Sequence, residues 1–535
     1  MTSAIARRLS FAAVVVSFAI PLVGAVVDVG GAMEEGFMLV FPERVLRGDI
    51  PNRDFLHLYG PGSLWVLALA FAIFGTRLVV ERAVGAVQSL GVALATRGWA
   101  APWGGVLAGV AGVTSAVFAI TPIGLVALAW MGGLALLLWG TLQITIAVER
   151  DRARRAIGGG VLVGFALLYR PDLAGAVLLA SLVGFRALRR SGLLPRVLIG
   201  AAVGSAPMLV HVAMAGVGNA FEGMFVDPVL RLRPGRHLPV PPSSDTLDGY
   251  LQRIAELDVL SWPAPFTIPI QLRTWFLAIL VATVLVVVAA AVAMRRDGSS
   301  IRSRRLVVMA ALAVGILPQA VQRPDSTHLA WVSCFTLAVL PIALFELLPA
   351  RLPSIARSAV GVVVLAGLAA VAFPAFTLRP YAELALQSLG RERTSIEVEH
   401  GGRNFYVGRQ DVADAVEAIA PLVESDTEPG DRLFVGPADL TRTPYVDAWL
   451  YHLFPDLVPA TYYIEMDPGV ADTKGSGLAD DLASADVVLL TNTWDNWVEP
   501  NSSNDKGDGA AARVLRDRFC LVVEQDGVSY YRRCR

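Results

Sequence analysis

The feature that most constrains this chain is the recurrence of long apolar runs. Each is roughly 17–22 residues long, which is enough to cross a hydrocarbon core about 30 Å thick. Hydrophobic residues make up 55% of the 535 residues and charged residues 17%, a balance that excludes an ordinary soluble protein. The pattern predicts a polytopic α-helical membrane protein. Five of the clearest runs are 9–27, 197–216, 275–294, 329–348 and 358–377.

Arginine-rich loops indicate the orientation of the chain. Short basic loops stay in the cytoplasm, and counting crossings between them gives about 11 membrane helices. We therefore expect a multi-pass plasma-membrane protein with a cytoplasmic N-terminus and the C-terminus outside. The run 63–75 is short, and we interpret it as re-entrant or partial. The basic loops are 7–8, 150–155, 186–196, 295–305 and 351–357.

One alternative interpretation of the N-terminal segment remains open beside this topology. The first apolar run could be a cleavable signal peptide, although its length favours a retained anchor. The arginines lie between the apolar runs, so they do not indicate nucleic-acid binding.

The tail, residues 378–535, is polar and differs in character from the membrane domain, residues 1–377. Short apolar runs alternate there with helical stretches, which predicts a small extracytoplasmic α/β domain. The tail has no phosphate-binding glycine loop and no metal-ligand spacing. The predicted strands are 432–435, 486–490 and 521–523, and the predicted helices are 410–423 and 509–519.

Cys520 and Cys534 flank a predicted hairpin that turns at Asp526 and Gly527. In a regular hairpin with a two-residue turn the two sulfurs point to opposite faces of the sheet. A disulfide between them therefore requires a β-bulge, and the sequence leaves the question open.

The loop after the first run, residues 28–62, carries an unusual concentration of charge for a membrane surface. Carboxylates beside a bilayer are expensive to desolvate, so such a cluster indicates a functional site. Prolines, glycines and an apolar side suggest a rigid loop that lies on the bilayer, although a solvated connection is the alternative. Its acidic residues and histidine are Asp28, Glu34, Glu35, Glu43, Asp49, Asp54 and His57.

Three further polar clusters fall on the predicted outer face, at 169–172, at 319–328 and in the long loop 217–273. Outer arginines oppose the positive-inside bias, and a lipid phosphate is a suitable partner for a guanidinium group. The alternative is that Arg170 with Asp172, and Arg323 with Asp325, form local ion pairs at helix ends.

The opening loop resembles that of the GT-C superfamily of membrane glycosyltransferases, in particular the protein mannosyltransferase and aminoarabinose-transferase-like branch. That family has an Asp-Glu-Gly motif after its first span, so Glu34 replaces the usual Asp here. The segments 78–82, 167–172 and 323–328 also look like family segments. The matching loop motifs are Glu34-Glu35-Gly36, Val45-Leu46-Arg47-Gly48, Pro51-Asn52-Arg53-Asp54-Phe55 and Tyr59-Gly60-Pro61-Gly62.

The resemblance implies inverting transfer of a sugar from a polyprenyl-phosphate donor to a glycan, lipid or protein acceptor at the outer face. Glu34 or Glu35 would be the general base, and Asp54 would position the acceptor or an ion. No cofactor is implied, although a divalent cation is possible. The expected substrate-binding residues are His57, Tyr59, Arg170, Asp172, Arg323, Asp325 and His328.

Two other classes of protein fit part of the pattern. A transporter or flippase would also have many spans and a few charges at membrane level. Duplicated halves, typical of transporters, are not seen, and the charges cluster at one face. An assembly protein whose tail binds cell-wall material is the third interpretation.

Overall fold

The computed structural model describes residues 3–122, 124–254, 261–495, 499 and 507–534. As far as residue 388 these residues form helices and connecting loops without a strand. The α-helices are α1 (Ser3–Ala19), α2 (Leu22–Val26), α3 (Glu34–Leu46), α4 (Gly62–Phe74), α5 (Leu78–Ala100), α6 (Gly105–Ile120), α7 (Ala129–Arg150), α8 (Ala153–Tyr169), α9 (Ala174–Arg190), α10 (Leu194–Ala215), α11 (Val217–Phe221), α12 (Leu232–Gly235), α13 (Tyr250–Ile254), α14 (Ile268–Asp297), α15 (Ile301–Gln322), α16 (Ser326–Ser333), α17 (Leu340–Leu347), α18 (Ser354–Gly367) and α19 (Leu378–Ser388).

Seven helical segments of the described residues are long and apolar enough to cross a membrane. The chain is therefore a multi-pass membrane protein, as its apolar runs predict. Helix α4 has 13 residues, or about 20 Å at 1.5 Å per residue, which agrees with a partial crossing. The total of about 11 spans and the orientation of the termini stay predictions. The seven segments are Leu78–Trp103, Ala129–Arg150, Pro171–Arg190, Leu194–Ala215, Ile268–Asp297, Ile301–Gln322 and Ser354–Ala372.

Helices α8 and α10 approach closely because each carries glycines four residues apart. A Cβ atom at Gly160 would lie 2.3 Å from the carbonyl oxygen of Val197, and one at Gly204 would lie 2.2 Å from that of Val161. Small residues at this spacing allow backbones to touch within a bilayer, where the hydrophobic effect does not drive helix association. The contact places the end of α8, and hence Arg170, firmly in the bundle.

The tail forms an α/β unit, as predicted. A five-stranded sheet has the order β4–β3–β5–β7–β6, with β3 parallel to β4 and β5, and β7 antiparallel to β5 and β6. Strands β1 and β2 form a separate antiparallel pair. All five elements predicted for the tail are present, whereas the domain boundary at residue 377 stays a prediction. The strands are β1 (Ile396–His400), β2 (Arg403–Val407), β3 (Arg432–Pro437), β4 (Val458–Pro459), β5 (Val487–Thr491), β6 (Phe519–Gln525) and β7 (Val528–Arg533), and the helices are α20 (Gln410–Asp426), α21 (Trp449–Leu453), α22 (Leu478–Ala483) and α23 (Ala510–Arg518).

Cys520 and Cys534 form a disulfide, with their Cα atoms 5.1 Å apart. The register of β6 against β7 shifts between Leu521 and Val523. This irregularity is the bulge that the pairing requires, because one extra residue brings the two sulfurs to the same face.

The opening loop packs between the helical bundle and the tail. A Cβ atom at Gly36 would lie 2.3 Å from the backbone nitrogen of Trp449 in α21. Arg44 donates to the carbonyl oxygens of Thr461 and Asp54 at 3.1 and 2.9 Å. The tail thus holds the loop in place, and the residues of interest meet at this junction.

Candidate active site

Glu34 and Glu35 begin helix α3 and point in different directions, because successive helical residues are rotated by about 100°. Both Glu35 oxygens accept hydrogen bonds of 2.7 Å from Arg82 in α5, and both side chains are buried. Among the residues that the structure describes, Glu34 has no ion-pair partner, and its carboxylate accepts a hydrogen bond from the backbone N–H of its own residue. Of the two candidate bases, Glu34 is therefore the one whose carboxylate is available.

Burial raises the pKa of Glu34 above its ordinary value of 4.5. The charges of Arg236 and Arg323 lower this pKa, and that of Asp325 raises it. The carboxylate thus interacts electrostatically with Arg323, which was expected to bind phosphate, and with Arg236, which was not assigned to the site from sequence. A carboxylate with a raised pKa takes up a proton more readily, which suits a general base.

Arg236 and Arg323 line a cavity of about 120 Å³, whose lining includes neither Glu34 nor Glu35. Four guanidinium groups and one carboxylate line it, so its charge favours an anion. Of the residues predicted from sequence, it brings together Tyr59, Arg170, Asp172, Arg323 and His328. We call it the arginine cavity, and its polar lining is Tyr59, Arg170, Asp172, Arg233, Arg236, Gln319, Gln322, Arg323 and His328.

Arg170 follows the last residue of α8, and its side chain contacts one carboxylate and two aromatic rings. It donates to both oxygens of Asp172, at 2.9 and 2.7 Å. Its guanidinium carbon lies 4.2 Å from the centre of the Tyr59 ring and 5.0 Å from that of Trp130. Gln319 also donates to Asp172. The local ion pair considered from sequence is thus present, and it fixes the guanidinium plane at the cavity wall.

Arg323 ends up between two carboxylates. It donates to Asp325 at 2.8 Å and to both oxygens of Glu499, which belongs to the tail. Asp325 caps α16 by accepting from the backbone N–H of His328, and it also contacts the His328 ring nitrogen Nδ1 at 2.8 Å. Asp325 thus contacts both Arg323 and His328, which line the cavity, and holds their side chains in place.

Arg233 and Arg236 also face the arginine cavity. They belong to the long loop, whose arginines we identified from sequence without assigning them to the site. Arg236 has one long contact, 3.4 Å to Asp467, and stacks over Tyr445 at 4.8 Å, while its Nε has no hydrogen-bond partner among the described residues. Of the four arginines, Arg236 therefore keeps more hydrogen-bonding capacity than Arg170 or Arg323.

Asp54 and His57 lie outside the arginine cavity. Asp54 accepts from the backbone N–H of Ile50 at 2.7 Å and from Arg53, so it stabilises the turn 50–54. The His57 ring packs between Phe41 and Tyr59, and burial lowers its pKa to about 3. The functional roles that the resemblance implies for Asp54 and His57 stay predictions.

Two tail carboxylates complete the surroundings of Glu34. Glu465 and Asp467 are buried, and Glu465 Oε1 and Asp467 Oδ2 have no hydrogen-bond partner among the described residues. Burial, and then the charge of Asp467, raise the pKa of Glu465, which is also sensitive to Glu34. Nothing in the sequence of the tail singles out these two acids, because they match no motif.

The described residues contain no group of three or more His, Cys, Asp or Glu side chains arranged to hold a metal ion. Participation of a divalent cation stays a prediction.

No protein-family model matches the chain, and no curated protein matches its sequence. Among solved structures, ArnT from Cupriavidus metallidurans bound to undecaprenyl phosphate is similar over 98% of this chain and 97% of its own, with 13% identity and a TM-score of 0.53. The apo state of the same protein gives 13% identity and a TM-score of 0.53 over 99% and 98% of the two chains. The chain therefore has the same fold as ArnT, and the expected fold of a polytopic helical membrane protein with a C-terminal α/β domain is confirmed.

Proposed function

We propose that the protein is an inverting membrane glycosyltransferase that uses a polyprenyl-phosphate-linked sugar at the outer face of the plasma membrane. A shared fold does not by itself establish a reaction. The observation that carries the proposal is that Glu34, which has no ion pair among the described residues, interacts electrostatically with Arg236 and Arg323, two of the four arginines that line the cavity. One group can accept a proton and the other can bind a phosphate, the two tasks that this reaction requires.

In this mechanism Glu34 takes the proton of the acceptor hydroxyl as its oxygen attacks the anomeric carbon. The bond between that carbon and the phosphate oxygen breaks, and the phosphate keeps the electron pair. Attack opposite the leaving group inverts the anomeric centre. Arg236 and Arg233, supported by Arg170, would stabilise the charge that develops on the departing phosphate.

The nature of the carrier follows from the same geometry. A phosphate that sits in the arginine cavity lies at the end of the helical bundle, where a lipid chain attached to it can remain in the bilayer. The relative ArnT is described with undecaprenyl phosphate bound, which supports a polyprenyl phosphate here. Arg323 is engaged by Asp325 and Glu499, so we assign it a supporting role in holding the cavity wall.

The test is sugar transfer from a polyprenyl-phosphate donor in membranes that contain the full chain. Glu34→Gln should abolish transfer while binding of the donor persists, because the isosteric amide cannot take a proton. Glu424→Gln, at an exposed position of the tail, is the matched control and should transfer normally. Unchanged transfer in Glu34→Gln would refute the base assignment. If the wild type transfers no sugar and Glu34→Gln instead reduces uptake of a solute, the protein would be better explained as a transporter.

A further inference from the structure

A second cleft lies on the other side of one wall of the arginine cavity. Its volume is about 570 Å³, against about 120 Å³ for the arginine cavity, and it is within the range of ligand sites, roughly 300–1,000 Å³. It opens between the long loop and the tail. We call it the second cleft, and it is lined in part by Asn52, Asn219, Asp227, Arg231, Tyr462 and Lys474.

The wall between the two spaces is a π-helix, Glu222–Arg231. Met224 and Pro228 face the arginine cavity, whereas Glu222, Asp227 and Arg231 face the second cleft. Such wide helical turns occur frequently at functional sites. One short element therefore contributes to two adjoining spaces.

The two spaces differ in charge. In the second cleft the carboxylates of Glu222 and Asp227 lie opposite the cations of Arg231 and Lys474. Arg231 bridges the two acids, at 2.6 Å to Glu222 and 2.7 Å to Asp227. The arginine cavity attracts an anion, whereas the second cleft has no formal excess of positive charge to hold one.

The hydrogen-bonding groups of the second cleft favour a ligand rich in hydroxyl groups. Tyr462 and Tyr463 donate their hydroxyl protons to backbone carbonyls, at 3.2 and 2.7 Å, so their oxygens remain as acceptors. Glu222 is half exposed and adds a carboxylate. The cleft thus presents acceptors beside donors such as Lys474, and the hydroxyl groups of a neutral sugar, which both donate and accept, can bind both kinds of group while the sugar ring lies on tyrosine.

The tail connects the second cleft to the site of chemistry. Tyr462 lines the cleft, and Asp467, five residues later, pairs at 3.4 Å with Arg236 of the arginine cavity, whose charge also acts on Glu34. Five residues span at most about 18 Å. An acceptor of a few sugar units lying in the cleft can therefore place one hydroxyl at Glu34.

From these observations, and resting on the proposed glycosyl transfer, we propose that the second cleft binds a neutral glycan as the acceptor. This inference assigns a chemical class to the acceptor and a place for the sugar units that do not react.

The sequence offers an unusually selective probe, because Lys474 is one of only two lysines in the chain, the other being Lys506. Neutral trisaccharides of mannose, glucose and galactose, oxidised with periodate to dialdehydes, can condense with a lysine amine, losing water to give an imine. Cyanoborohydride then reduces the imine to a stable amine. Mass spectrometry of the full-length protein in detergent locates the label.

We expect label at Lys474, and we expect the same unoxidised trisaccharide to reduce it several-fold without affecting Lys506. Asn219→Trp should fill the cleft and reduce labelling at Lys474, whereas Asn219→Ala should not. Both variants lose the hydrogen bond from Asn219 to Ala215, so only the added bulk distinguishes them. Equal thermal stability of the two variants confirms that folding is unaffected.

The inference is overturned if none of the three trisaccharides protects Lys474, if inorganic phosphate protects it equally, or if Asn219→Trp labels like the wild type. Labelling needs no turnover, so Glu34→Gln should label normally. Normal protection together with unchanged transfer by Glu34→Gln would leave the cleft standing and refute the proposed base. Loss of transfer in Glu34→Gln without protection of Lys474 would support Glu34 as the base and refute the second cleft as the glycan site.

Discussion

Glu35 and Arg82 form a buried, two-pronged ion pair in which both hydrogen bonds measure 2.7 Å. Arg82 also donates to the backbone carbonyls of Val26 and Asp28, at 2.8 and 3.0 Å. The pair therefore joins the chain after the first helix to α3 and α5. This leaves Glu34, one residue away, as the free carboxylate of the motif.

The first prediction separates these neighbouring glutamates by stability. Glu35→Gln should destabilise the protein, by about 3–5 kcal/mol, because it removes the carboxylate that accepts both hydrogen bonds of the buried Arg82 guanidinium. Glu34→Gln should leave the unfolding temperature in detergent close to that of the wild type. Replacing both members of the pair, Glu35→Gln with Arg82→Met, should recover part of the loss. Equal unfolding temperatures for the two single variants would contradict this assignment.

The second prediction concerns pH. The base acts when it is deprotonated, so transfer should decline as the pH falls through the pKa of Glu34. Burial raises this pKa, and the midpoint should therefore lie above the ordinary glutamate value of 4.5. The measurement is kcat/KM against pH, which reports groups of the free enzyme. A midpoint at or below 4.5, or the same acidic decline in the residual activity of Glu34→Gln, would rule out Glu34 as the titrating base.

The third prediction contrasts two arginines of the cavity. Arg236→Gln should weaken binding of a polyprenyl phosphate about tenfold or more, since hydrogen bonds to charged groups contribute about 1.5–3 kcal/mol. Arg323→Gln should instead lower the unfolding temperature, because Asp325 and Glu499 are fully buried and would lose their partner. Binding and thermal unfolding, measured on both variants, distinguish the roles. Unchanged lipid binding by Arg236→Gln would remove it from the phosphate site.

The fourth prediction concerns the disulfide of the tail. Cys520→Ser should reduce the stability of the tail by about 3 kcal/mol, the loop-entropy value for a closed loop of about 15 residues. Reduction of the wild type with dithiothreitol should produce a similar decrease, and the serine variant should be insensitive to it. The residues that line the arginine cavity lie between Leu58 and His328, outside the tail, so transfer at moderate temperature should persist. A variant that unfolds like the oxidised wild type would contradict the stabilising role.

Much of the fold was predictable because its determinants are local. A membrane helix satisfies its own backbone hydrogen bonds, so length and apolarity identify most of the spans. The predicted run 329–348 is an exception, because it divides into the short helices α16 and α17. The strands of the tail were recognisable in the same way, from short apolar runs such as the one in β5. The requirement for a bulge beside Cys520 could be stated in advance, whereas the presence of the bulge could not.

The site was only partly predictable, since its partners are distant in sequence. Counting membrane crossings predicts on which side of the membrane a residue lies, but it does not predict which residues contact it. The choice between Glu34 and Glu35 depends on Arg82, 47 residues away from Glu35. Glu499 meets Arg323 across 176 residues, and no local pattern indicates that contact.

The last prediction concerns Glu465, a buried acid of the tail. Burial and the charge of Asp467 raise its pKa in the folded state above its unfolded value. Its contribution to stability is therefore greatest at low pH and is lost as the pH rises through the folded pKa. Glu465→Gln cannot ionise, so its unfolding temperature relative to the wild type should increase as the pH is raised from acidic to mildly alkaline values. The exposed control Glu424→Gln should track the wild type throughout, and a constant offset for Glu465→Gln would show that this carboxyl group titrates alike in both states.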